Sequence, residues 1–147
     1  MNNRFSIFGT IFFLLILLCG FTEVQSQILT IQINKIKSDK GEVLLSVYND
    51  SKGFPYESTS SIKTLSVRAK AGMVLVSTED LPRGTYAIAL FHDTDGNRKL
   101  TTNLIGIPKE GYAFSNNASN FFGVPNYKDA SFKLTGDTTI VINMKHF

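Results

Sequence analysis

Cysteine is nearly missing from this chain, which has one, Cys19, among 147 residues, and tryptophan is absent altogether. A single thiol closes no intrachain disulfide, and two histidines (His92 and His146) with one cysteine fall short of the Cys/His quartet of a structural zinc site. Neither sign of charge predominates. The formal net charge is +3, and the basic residues, such as Lys35, Lys52, Lys63, Arg68 and Arg83, are scattered without a run. That distribution gives no footprint for nucleic acid. No G-x-S-x-G, H-E-x-x-H or phosphate-cradling glycine loop occurs, so no catalytic signature is present.

Long apolar runs are confined to one place. Phe5 to Leu18 is broken only by Ser6, Gly9 and Thr10, and Arg4 supplies a short positive flank. The run is shorter than the ~20 residues that span a bilayer, which favours a cleaved signal peptide over an anchor. Val24 and Ser26 are acceptable before a cleavage point, so residues 1–26 are expected to leave and residues 27–147 to form the mature domain. Leu18 stands before Cys19, where a lipidated cysteine wants a small residue, so lipoprotein anchoring is not expected. Arg4 and Glu23 depart together, leaving the charge unchanged and the mature chain without a thiol. The expectation is an exported protein, periplasmic or secreted, with no transmembrane segment after cleavage.

The mature chain alternates with period two, the mark of half-buried strands. Leu29, Ile31 and Ile33 open one strand; Val43, Leu45 and Val47 share a face of a second, and Asp39-Lys40-Gly41 between them is turn chemistry that predicts a hairpin. A third strand is predicted over 62–70 with Leu65, Val67 and Ala69 inward, and a fourth over 73–77. In the fifth, Tyr86, Ile88 and Leu90 alternate with Ala87, Ala89 and Phe91, so both faces are apolar and the strand is predicted to be central. Two more strands are expected at 130–134 and 138–145. About seven short strands in one domain predict an all-β, antiparallel β-sandwich, immunoglobulin-like or transthyretin-like.

The stretch from Asp93 to Asp129 has no such alternation and is dense in glycine, asparagine, proline and aromatics. Long structureless loops in compact domains are often functional. Asp93, Asp95 and Asn97 place side-chain oxygens at alternate positions, as a Ca²⁺ loop does, although Gly96 and Leu104 break the EF-hand pattern. The same residues serve equally well to shape a turn by bonding their own backbone. His92 lacks a partner that would make it a base or ligand. Glu110 with Asp93 is a carboxylate pair of the kind that acts on glycosidic bonds, though nothing in the sequence fixes their separation. Tyr112, Phe114, Phe121, Phe122 and Tyr127 are expected to fold inward and cap the open end of the sandwich, or else to stack on a ligand.

Two segments carry a family resemblance. LPRGTYAIALFHDTDGN (Leu81–Asn97) and LIGIPKEGYAFSN (Leu104–Asn116), followed by Asn117, by Phe122 to Pro125 and by Lys128 to Ala130, resemble the bacterial DUF2141 family over essentially the whole mature chain. Here Asp95 replaces the family's usual asparagine, and Thr101 stands where the family usually has aspartate. The resemblance implies an exported β-sandwich of unassigned function. Residues and resemblance together lead us to expect a non-enzymatic module that binds an envelope protein or a glycan through the loop region, using His92, Asp93, Asp95, Asn97, Glu110, Tyr112, Phe114 and Asn116. The alternatives are a structural domain in which Asp93, Asp95 and Asn97 hold calcium, and a hydrolase. No other cofactor is expected.

Overall fold

The computed structural model describes residues 26–121 and 123–147. The expected signal peptide, apart from Ser26, lies outside the described residues, as does Phe122. Eight strands are formed among them: β1 (Gln27–Ile36), β2 (Glu42–Tyr48), β3 (Lys63–Arg68), β4 (Gly72–Leu81), β5 (Gly84–Asp93), β6 (Tyr112–Phe114), β7 (Phe132–Leu134) and β8 (Thr138–Asn143). They make two sheets, β4–β1–β8 and β3–β2–β5–β6, with β7 pairing the start of β5 while β6 pairs its end. Every pairing is antiparallel except β1 with β8.

The alternation read from the sequence builds this sandwich directly. Leu29, Ile31 and Ile33 of β1 pack with Val43, Leu45 and Val47 of β2 and Ile88 and Leu90 of β5 in one core. Their neighbours in sequence face outward, because successive side chains on a strand point to opposite sides. The fifth strand is central, as expected, with β2 on one edge and β6 and β7 on the other.

One expectation is corrected. β1 and β2 do not form a hairpin: β1 pairs with β4 and β8, and β2 with β3 and β5. Two strands with one apolar face each can bury those faces side by side or across the core, and alternation alone does not distinguish the two. The Asp39–Gly41 turn therefore carries the chain from one sheet to the other. It is fastened at both sides, since Ala71 N–H donates to Asp39 Oδ1 (2.6 Å) and His92 Nε2–H donates to the Lys40 carbonyl (2.7 Å). Gly41 adopts φ 68° with its α-carbon against the Asp93 carbonyl, where a β-carbon would collide.

The stretch beyond β5 is also more ordered than its composition indicates. It holds β6, a 3₁₀ turn at Ser115–Asn117 and a one-turn helix, α1 (Tyr127–Ala130), which precedes β7 and trims the expected strand at 130–134. Three residues of β6 are too few to show a period. Of the aromatics expected to cap the open end, Tyr112, Phe114 and Tyr127 lie instead on the outer face of β5. Ala87 and Ala89 give the outer face of β5 a low floor, and Phe114, Tyr112, Tyr127, Val124 and Phe54 pack over it as a second apolar cluster. Phe121 is exposed. Ser115 is wholly buried at the hinge of this cover: its Oγ accepts from Ile88 N–H (2.8 Å) and donates to the Ala130 carbonyl (2.5 Å). Beyond β8, Lys145 exchanges both backbone hydrogen bonds with Tyr112, joining the edges of the two sheets.

Candidate functional site

The site begins where β5 ends. His92 and Asp93 are adjacent, so the strand sends them to opposite faces: His92 inward with Leu90, toward the Lys40 carbonyl, and Asp93 outward with Phe91. Asp93 Oδ1 accepts from Gly96 N–H (2.8 Å) and its Oδ2 from Arg98 N–H (2.9 Å). Asp95 Oδ1 accepts from Asn97 N–H (3.1 Å), and Asn97 Oδ1 from Lys99 N–H (2.7 Å). The loop is thus a succession of turns in which each Asp or Asn side chain bonds a backbone group a few residues on. Gly96 and Arg98 take positive φ to allow it.

Glu110 closes the loop from the far side. Its Oε1 accepts from Thr94 N–H and from Thr94 Oγ1 (both 2.8 Å), and its Oε2 accepts from Thr101 N–H (2.9 Å). Asp93 is 3 % exposed and Glu110 6 %, so these bonds act where water screens little. One carboxylate oxygen from each of Asp93, Asp95 and Glu110 lies within 4.8 Å of the others. Asn97 does not complete that set with its oxygen; its Nδ2 donates to Asp95 Oδ2 (2.9 Å) and Thr101 Oγ1 (2.9 Å).

Fixing this loop fixes Arg98, Lys99 and Leu100 against the outer face of the five-stranded sheet. There they form one wall of a cavity of about 490 Å³. Its floor is Leu44 and Ser46 of β2 with Ala89 and Phe91 of β5, paired across the ladder as Leu44 with Phe91 and Ser46 with Ala89. Tyr112, Phe114 and Val124 make a second wall, and Tyr48, Pro55, Tyr56 and Ser58 a third. The rings support one another: Phe54 meets Tyr48, Phe114 and Tyr127 edge-on at 5.2, 6.1 and 5.9 Å, and Tyr112 meets Phe114 at 5.9 Å. Tyr56, 79 % exposed, stands at the mouth.

The structure therefore brings Asp93, Asp95 and Glu110 into one cluster and Tyr112 and Phe114 into the adjoining cavity. His92 and Asn116 belong to neither. Asn116 Nδ2 donates to the Ser131 carbonyl (2.6 Å), tying the 3₁₀ turn to the end of α1. Sequence reasoning missed Ser46, Tyr48, Tyr56, Phe91, Arg98 and Lys99. The available signal was the outward set of β2 and β5, where Ser46 lies between Leu44 and Tyr48, and Ala87 and Ala89 are both small, leaving a depression.

Burial pushes the hydroxyls of Tyr48, Tyr86, Tyr112 and Tyr127 above the ordinary tyrosine value. A folded state that holds these protons more tightly than the unfolded chain keeps its full stability below about pH 10 and loses it as pH rises further. Urea midpoints should accordingly hold from neutral pH up to that point and fall above it, in step with phenolate absorbance. Midpoints that stay flat well past pH ~10 would show that these hydroxyls ionise freely in the folded state.

A β-sandwich with an acidic loop clamp beside an aromatic cavity defines the class. The family model described as "Uncharacterized protein conserved in bacteria (DUF2141)" matches residues 31–142, and the chain belongs to that family. No curated protein and no solved structure matches it significantly.

Proposed function

We propose that this protein is an exported, non-enzymatic binding module of the cell envelope, and that its binding surface is the cavity on the outer face of the five-stranded sheet. The observation that carries the reading is the composition of that cavity: the side chains of Phe91, Tyr112 and Tyr56 beside Arg98 and Lys99, with no carboxylate among the described residues that line it. Aromatic faces stack on the apolar faces of sugar rings, and a guanidinium or ammonium at the rim selects an anion. Such a site suits an acidic glycan. The carboxylates serve it indirectly, by holding the loop that carries the cations. A panel of acidic and neutral oligosaccharides tests the reading by thermal shift. Uronate-containing oligomers should raise the melting temperature, neutral ones should do so less, and Tyr56→Ala should reduce the response. A panel without any shift would contradict it.

A second reading, a cation-stabilised structural domain, is favoured by the convergence of Asp93, Asp95 and Glu110. Glu110 supplies the carboxylate that Thr101 does not. Under this reading calcium at ~10 mM, bound with a dissociation constant on the order of 10⁻⁴–10⁻³ M, adds roughly 1.5–3 kcal/mol of stability. The melting temperature then rises by several degrees, and Asp93→Asn with Asp95→Asn abolishes the rise. A melt indifferent to calcium and to EDTA leaves the loop held by its own hydrogen bonds alone.

A further inference from the structure

The segment between the loop clamp and Glu110 forms a short projecting hairpin whose tip is aliphatic. Leu104 is 106 % exposed, Ile105 80 % and Ile107 38 %. Three large aliphatic residues within four positions, outside both apolar clusters of the fold, concentrate apolar surface on one small projection. Much of their backbone is bonded within the hairpin. Asn103 Oδ1 accepts from both Ile105 N–H (3.1 Å) and Ile107 N–H (2.9 Å), Gly106 N–H donates to the Asn103 carbonyl (3.0 Å), and Asn103 N–H donates to the Ile107 carbonyl (2.8 Å). Pro108 has no N–H to satisfy, and Lys109 N–H returns to the Thr101 carbonyl (2.8 Å). Internal bonding lowers the cost of moving such a segment from water to the lipid boundary. At the base of the hairpin stand three exposed cations, Arg98, Lys99 and Lys109, against one exposed carboxylate, Asp95, which accepts from Thr101 Oγ1 (3.1 Å); Glu110 is buried and spent on Thr94 and Thr101.

We propose that this tip docks the protein on an anionic bilayer surface, with Leu104, Ile105 and Ile107 entering the headgroup boundary and the basic residues at its base meeting lipid phosphates. The convex aliphatic tip fits a yielding apolar phase better than a preformed protein groove, and the cations supply the charge complement. Leu104, Ile105 and Ile107 do not line the cavity, whereas Arg98 and Lys99 border both it and the tip.

The test is co-sedimentation of the 27–147 chain with vesicles of zwitterionic lipid alone and with an added anionic lipid. Wild type should pellet with the anionic vesicles and do so less as salt is raised. Leu104→Ser with Ile105→Ser should lower the partition by at least about tenfold, since aliphatic burial dominates interfacial binding. Its melting temperature should be unchanged, because neither residue packs in the core. Lys109→Glu should weaken binding to anionic vesicles only. Wild type left in the supernatant with both vesicles would overturn the proposal, as would equal pelleting of the double variant. So would a wild-type dimer in lipid-free solution that the double variant dissolves, because the tip would then pack on a second copy.

Discussion

Leu90→Ala should lower stability by ~2–5 kcal/mol, seen as a fall in the urea midpoint with an unchanged slope. Leu90 lies in the middle of β5, 3 % exposed, with Leu45 paired beside it on β2 and Ala113 on β6. It belongs to the core that also takes in Ile31 and Ile33 of the opposite sheet. Truncation there leaves a void whose walls are two hydrogen-bonded sheets, which cannot move together to fill it. A loss well below ~2 kcal/mol would mean that the sheets close over the gap and that β5 is not the keystone its position indicates.

Glu110→Ala should cost ~1.5–3 kcal/mol, the range for losing hydrogen bonds to a charged acceptor. The carboxylate takes three donors, two from Thr94 and one from Thr101. Its loss should also free the loop that carries Arg98 and Lys99, so amide exchange at Thr94 and Thr101 should quicken. Glu110→Gln retains one acceptor oxygen and should recover part of the stability. If Glu110→Ala melts like wild type with slow exchange at both threonines, the clamp is not what shapes the loop.

The strands were legible because alternation is a local property. Ile88 and Ala89 announce a strand apolar on both faces, and β5 is central for that reason. The partner of β1 was not legible, since burying Leu29, Ile31 and Ile33 across the core from Val43 and Leu45 satisfies the same pattern as pairing beside them. Turn chemistry at Asp93–Asn97 could be read from the residues, as Asp and Asn bond backbone within a few positions. That Glu110 would close the same loop could not, because its approach depends on β6 pairing with β5 through Tyr112–Phe114, a strand too short to show a period. The cavity was hidden for a related reason. It exists only because Ser46 and Ala89 are brought side by side by the β2–β5 register, and because Phe54 and Phe114 meet over the adjoining floor.

If the acidic loop places Arg98 and Lys99 over an aromatic cavity that binds an acidic glycan, removing the two cations should remove most of the affinity. Calorimetric titration of a uronate oligomer into wild type and into an Arg98→Ala, Lys99→Ala variant measures that loss. Both side chains are exposed and outside the core, so the variant should fold and melt as wild type does. Binding to wild type should be saturable and should weaken at least about tenfold in the variant, the order expected for losing two charge-assisted contacts. Equal affinity in the two proteins would contradict this role for the cavity, as would the absence of binding to wild type.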